Sequence, residues 1–488
     1  MTNTPALIWF RDDLRLSDNP ALNHACAEGR PVAALFVLDE DSPGLRPLGG
    51  AARWWLAGAL RQLAHDLHQA GLPLILRRGP AAEVVPQVAG ALDAGLITLN
   101  QRPGAAAAAV DAEVAARLRA AGRKVQMFNA RLLHPPGTVH GASGRLPRTF
   151  AAFQRAARQL PAPGQPLPAP RQPVAADLSG AAEALETDLL ATLDSWGLEP
   201  EHPDWAGGLR LAWRPGAAAA EARLADFIAE GLRGYGEGRD RPAAPHISRL
   251  SPYLRFGEIS PRQILAAVEH ARAAGDVPGA DAEKFISELY WREFSHHLLE
   301  AEPDIALRNI QPAFDRFPWR EAPGELKAWQ RGRTGYPLVD AGMRELWQTG
   351  FMHNRVRMVV ASFLAKHLLI DWRGGEAWFW DTLVDACPAN NPASWQWVAG
   401  TGLDAAPYFR IFNPVLQGEK FDPDGAYVRR FVPELADLPA SVLHKPWTAD
   451  TATLRRAGVT LGTTYPKPIV DHAAARERAL RALKSTQN

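Results

Sequence analysis

The sequence predicts two folds in one chain: a doubly wound parallel α/β (Rossmann-like) domain, then an all-α domain. Three observations carry this. Short apolar runs alternate with helical patterns as far as Asn129, which is the texture of a parallel sheet covered on both faces. A Pro/Ala-rich stretch, Pro161 to Ala176, then breaks the pattern, because proline supports neither a regular helix nor a central strand. From about Leu185 the segments are amphipathic and helical. A chain of 488 residues fits two or three domains, and we expect residues 1–130 as the α/β domain, 131–183 as linker and 184–488 as the helical domain.

Taken in order, the runs Ala6 to Phe10, Val32 to Leu38, Leu72 to Leu76, Leu96 to Leu99 and Val125 to Phe128 are the expected strands. The clearest helix runs from Ala51 to Ala70, with Leu56, Leu60, Leu63 and Leu67 on one stripe and Gly71 placed to end it. Strand one is followed by RDDLRLSDN and not by a glycine fingerprint, so a conventional dinucleotide site is not expected there. Farther on, Gly234-Tyr235-Gly236 and PHISRLSPYLRFG give a loop entering a helix. Ser248 and Ser251 near that helix start could cradle phosphates, or act simply as caps. Helical spacing in Glu283 to Phe294 puts Glu288 and Trp291 three apart, with Arg292 alongside. Met352 to Leu368 has helical periodicity and sets Asn354 and Arg357 on one face.

Composition narrows the class of protein. With 47% hydrophobic and 22% charged residues the chain can bury an ample core. It holds no apolar run near the roughly 18 residues that a membrane span needs. The N-terminus MTNTPALIWFRDD lacks the charge and apolar order of a signal peptide, so a cytoplasmic protein is expected. Cys26 and Cys387 have no metal-site spacing and imply no disulfide framework. Net charge is +1, so affinity for nucleic acid would require basic residues gathered on one face. Arg233, Arg239, Arg241, Arg249, Arg255 and Arg262 form such a run, against Glu237, Asp240 and Glu258; a solvated surface is the alternative.

The chemistry concentrates between Thr334 and Pro414. Asn354, Arg357, Asp385 and Asn391 would together suit a polar heterocycle in an apolar pocket, or else Arg357 and Asp385 are a structural ion pair. Nine of the 16 tryptophans lie between Trp291 and Trp397, denser than core packing requires, which brings a redox or light-driven role into view.

GYPLVDAGMREL, MHNRVRM, the DWR that ends its helix, NNPASWQW and DAAPYFRIFNP, with LIWFRDDLRLSDNPAL and SRLSPYLRFGEISPRQ, resemble the DNA photolyase and cryptochrome family over almost the whole chain. The likeness is greatest to a bacterial class I-type cyclobutane pyrimidine dimer photolyase. It implies an antenna domain followed by a helical FAD-binding domain, and light-dependent repair of pyrimidine dimers in damaged DNA by a monomer. It further implies flavin contacts at Tyr235, Ser248, Leu250, Ser251, Asn354, Arg357, Asp385, Cys387 and Asn391, the last near flavin N5. Trp395, Trp372 and Trp319 match the relay that carries electrons to the flavin. Glu288 matches a catalytic carboxyl, and Trp291 with Arg292 the lesion side. Arg239, Arg355, Trp397, Arg410, Gln417 and Lys420 match DNA-side positions.

The chain departs from the family pattern at three places. Asn100-Gln101-Arg102-Pro103-Gly104 stands where many folate-binding members carry an acidic residue, so a reduced folate or deazaflavin antenna is left open. Ile247 replaces a frequent threonine, and Cys387 an aspartate. A cryptochrome photoreceptor without repair activity is the main alternative, disfavoured by Glu288, Trp291, Asn391 and a tail from about Asp450 lacking an extended disordered region. A light-independent flavoprotein is the second.

Overall fold

The computed structural model describes residues 4–27, 29–141, 143–179, 189–404 and 409–487. The expected boundary at 183/184 and residues 405–408 of the DAAPYFRIFNP motif lie outside these. Two compact units result, one made of residues 1–233 with 248–303, the other of 234–247 with 304–488. The helical segment 248–303 therefore folds with the α/β portion, which sequence texture alone does not show.

In the first unit, β1 (Ala6–Phe10), β2 (Pro31–Leu38), β3 (Leu74–Arg78), β4 (Leu96–Asn100) and β5 (Lys124–Phe128) form a parallel sheet in the order β3-β2-β1-β4-β5. The register sets Ala6 opposite Val32 on one side and Leu96 on the other. β1 is buried throughout and β2 nearly so, because helices cover both faces, and this is why their runs are continuously apolar. The helix Gly50–Gln69 buries Leu56, Leu60, Leu63 and Leu67, and Gly71 follows in the left-handed region at φ +75°.

Order reverses between β1 and β4, the place where open α/β sheets usually bind ligands. Here their carboxyl ends are filled by the chain's own side chains. Arg11 bonds Asp111 at 3.1 Å, while Asn100 donates to Asp13 at 2.6 Å and to Asn19 at 2.8 Å.

The Pro-rich stretch is docked against this unit. Leu167 and Asp18 exchange hydrogen bonds of 2.7 and 3.1 Å, and Val174–Ala175 (β6) pairs with β2. Within the expected linker, Phe150–Ala157 is a helix.

Helices dominate the second unit, with Trp329, Val359, Val360, Phe363, Leu364, Trp372 and Tyr465 in its core. Asp340 of the GYPLVDA motif is fully buried. It accepts from Thr334 N, Thr334 Oγ1, Gly335 N and the Tyr465 hydroxyl at 2.6–3.0 Å, tying the tail to the helix Pro337–Thr349. The helix expected over Met352 to Leu368 is α-helical only from Asn354 to Ser362, then widens to a π turn over Phe363–His367. DWR does not end that helix. Asp371 instead caps the next one, Trp372–Thr382, accepting from Arg373 N. The tail is ordered, ending in the helix His472–Gln487. No described helix is long and apolar enough to cross a membrane.

Candidate functional site

Asn354 is the first residue of the helix Asn354–Ser362, and its exposed side chain lies beside a buried cap. His353 Nδ1 accepts from Arg355 N at 3.1 Å, and burial lowers the pKa of this imidazole to about 4. One turn on, Arg357 forks onto Asp385: NH1 to Oδ1 at 3.1 Å and NH2 to Oδ2 at 2.9 Å. Its Nε donates to Met352 O at 2.7 Å, so the guanidinium plane is fixed on three sides.

Cys387 is buried, and its carbonyl accepts from Asn391 N at 3.1 Å to start the turn leading into the helix Asn390–Ala399. The Asn391 amide N–H₂ donates to Glu376 twice, at 3.1 Å to the carbonyl and 2.8 Å to the carboxylate. That leaves the amide oxygen as the group turned the other way. An acid in the middle of RGGEAWFW carries no local signal, and only the packing of two helices brings it to Asn391.

Trp395 is buried against Phe379 at 5.0 Å and Trp329 at 6.2 Å, both edge-on, over Gly375, where a Cβ would sit 2.2 Å from its ring. Its Nε1 is buried without a partner. Trp372 is fully buried and donates to Asn309 at 2.9 Å, whereas Trp319 is half-buried, 4.4 Å from Phe317. Burial thus falls from Trp395 and Trp372 toward Trp319.

In the same unit, Tyr235 is buried beneath the Arg239 guanidinium, 5.4 Å from its ring. Gly238 packs on His246 so closely that a Cβ would lie 2.1 Å from that ring. Arg355 bonds Asp240 at 2.7 Å and lies over Phe421, as does Lys420. Arg410 is exposed, its carbonyl held by the buried Lys366 at 2.8 Å, and burial lowers that ammonium to about 7. Gln417 and Trp397 are half-buried.

In the first unit, the helix Ser251–Phe256 starts after Arg249, whose φ is +54°. Ser248 Oγ accepts from Leu250 N at 3.4 Å, Leu250 is buried and Ser251 exposed. Glu288 and Trp291 share a face of the helix Gly279–Ala301 and are both half-buried. Arg292 donates to Arg131 O at 2.9 Å and lies 3.3 Å from Glu293, with a tenth of its side chain exposed. Glu293 is wholly buried, and desolvation raises it to about 7.

The run from Arg233 to Arg262 is not one basic face. Arg255 is buried on Asp12 at 2.9 Å and Arg262 pairs with buried Asp18 at 2.9 Å. Both are internal struts, because the carboxylates that claim them lie more than two hundred residues away and no local pattern reveals them.

The donor set fits FAD. A forked Arg–Asp pair and an amide with a free oxygen offer both donors and acceptors to a flavin ring, and the orphaned Trp395 N–H is a buried donor lacking the partner such groups almost always have. At the β1/β4 crevice Arg11, Asp13, Asn19, Asn100 and Asp111 bind one another. At the departed folate position Gly104 N donates to Glu300 at 3.1 Å.

Comparison with known proteins accords with this geometry. Residues 6–171 match the DNA photolyase model and residues 285–485 the FAD binding domain of DNA photolyase. A deoxyribodipyrimidine photo-lyase of Agrobacterium fabrum is 48% identical, covering 99% of this chain and 98% of that one. Cryptochrome-1 of Arabidopsis thaliana is 37% identical over 98% of this chain and 70% of its own length. The solved bacterial class III photolyase from Agrobacterium tumefaciens superposes with TM-score 0.94 at 46% identity, covering 100% of this chain and 98% of that one. The expected likeness to class I is corrected by that structure to class III. The chain belongs to the DNA photolyase and cryptochrome family.

Proposed function

We propose that the protein repairs cyclobutane pyrimidine dimers in DNA under blue or near-ultraviolet light. The observation that carries this is the pairing of Glu288 with Trp291, one helical turn apart on the same helix and both half-buried. The dimer would be flipped out of the duplex, at a cost that is lower for a lesion already poorly stacked. Trp291 supplies a stacking face, and Glu288, when its carboxyl carries a proton, donates a hydrogen bond to a pyrimidine imide carbonyl as negative charge develops there. The chemistry that reduced FAD supplies when bound is donation of one electron to the dimer and its recovery once the ring has split. Arg357, Asp385, Asn354 and Asn391 hold and orient that cofactor. Asn391 presents its amide oxygen because Glu376 occupies its N–H₂. Trp395 and Trp372, both buried, and Trp319, half-buried, conduct electrons inward from the surface. Arg355, Arg410 and Lys420 contact phosphates.

The test is to illuminate FAD-loaded protein with a dimer-containing oligonucleotide and measure restored thymine per absorbed photon, for the parent and for Glu288→Ala at matched FAD content. Repair by the parent and a lowered yield in the variant are expected. Absence of repair by the parent would favour the photoreceptor function that the plant cryptochromes represent; equal yields would remove Glu288 from the chemistry.

A further inference from the structure

The helix Phe150–Ala157 lies inside the stretch expected to be linker, yet it buries Phe150, Phe153 and Ala157 and packs on the helix Gly279–Ala301. Thr149 caps its start by accepting from Ala152 N, which sets the direction in which Phe150 leaves the backbone. Phe153 anchors the contact, 5.2 Å from both Phe294 and His297. Phe150 then lies flat on Trp291, ring centroids 3.8 Å apart and planes within 7°. Phe294 stands edge-on to both, 6.4 Å from Phe150 and 6.0 Å from Trp291.

Parallel rings at that separation are in van der Waals contact, so no base can enter between them. Rotation of the indole about its own side-chain bonds drives it into Phe150 across the stack or into Phe294 along the edge of the stack. A pyrimidine that stacks on Trp291 is therefore confined to the face turned away from Phe150, and it meets a ring whose plane is already set. Setting the plane in advance removes an ordering cost from the binding step.

We propose that Phe150 is a positioning residue for lesion recognition, acting through Trp291 by holding the indole plane that receives the flipped pyrimidine. This rests on the assignment of Trp291 to the lesion. Undamaged duplex places no base on Trp291, so only lesion binding should respond to Phe150.

The experiment measures affinity by fluorescence anisotropy for dimer-containing and undamaged oligonucleotides. The proteins are the parent, Phe150→Leu, Phe150→Tyr, Trp291→Ala and the double variant Phe150→Leu/Trp291→Ala, each checked for FAD content and thermal midpoint. Phe150→Leu should weaken lesion binding roughly three- to tenfold, less than loss of Trp291 itself, and leave undamaged DNA binding unchanged. Phe150→Tyr, which keeps the flat ring, should restore parental lesion binding. In the Trp291→Ala background Phe150→Leu should add nothing. Equal weakening of both DNAs, or a full Phe150→Leu penalty without Trp291, overturns the positioning role. Parental lesion affinity in Phe150→Leu beside weakened Trp291→Ala overturns the role of Phe150 alone. Parental lesion affinity in Trp291→Ala removes the assignment of Trp291, and the role of Phe150 with it. Phe150→Met carries the same test if the Leu variant does not fold.

Discussion

Replacing Arg357 by Met is the sharpest test of how the second unit is held together around its site. The guanidinium makes two bonds to Asp385 and one to Met352 O. The Asp385 side chain is only 4% exposed, so without Arg357 its carboxylate stays buried with its main counter-charge gone. Breaking a fully buried pair costs about 3–5 kcal/mol. The Arg357 side chain is 24% exposed, which lets water compensate in part, and the lost bond to Met352 O adds about 1 kcal/mol. A net loss of about 2–4 kcal/mol follows, on the order of 5–10 °C in thermal midpoint. Adding Asp385→Leu should recover stability, because the apolar pair no longer buries a lone charge. FAD content should fall in both single variants and stay low in the double, since neither donor nor acceptor returns. Urea unfolding and flavin absorbance on the same preparations measure this. A loss below about 1 kcal/mol for Arg357→Met, or additive losses in the double variant, would refute the argument that the pair is a buried, mutually dependent unit.

Trp395→Phe should nearly abolish photoreduction of oxidised FAD while chemically reduced enzyme still repairs; unchanged photoreduction excludes Trp395 from the relay. Arg410→Ala should weaken damaged and undamaged DNA alike and lower the salt slope by about one unit. Arg355→Ala should do so by less, because Asp240 already neutralises part of that charge at 2.7 Å; a larger change for Arg355 than for Arg410 would contradict this. The pH dependence of stability has a definite sign at Glu293. Its folded pKa, about 7, lies above the ordinary value of 4.5 because burial disfavours the charged form. Its stabilising contribution is therefore complete below the ordinary value and lost as pH rises through the folded one. Urea midpoints should fall between about pH 5 and about pH 8, and Glu293→Gln should flatten that slope; an unchanged slope in the variant assigns the effect elsewhere.

Much of this protein is legible in its sequence. The strands from Ala6 to Phe128 are local events, since continuous apolar runs of strand length have few other uses, and five of five appear with ends shifted by a residue or two. The sequence leaves Arg357 and Asp385 open as groups for a polar heterocycle or as a structural ion pair, and the fork between them is present. The long motifs from Gly335 to Pro414 pointed to the family, which the comparisons bear out. What the tertiary structure decided is of another kind. Arg255 and Arg262 look like surface charge in a basic run but serve buried carboxylates at Asp12 and Asp18. Glu376 orients Asn391 from a different helix. The stretch 131–183, which reads as linker, contains the helix whose Phe150 stacks on Trp291. Each depends on residues brought together from distant parts of the chain. Hydrophobic period and turn chemistry report only on neighbours within a turn or two, whereas the partner of a buried charge or a stacked ring is chosen by packing, which no local pattern encodes.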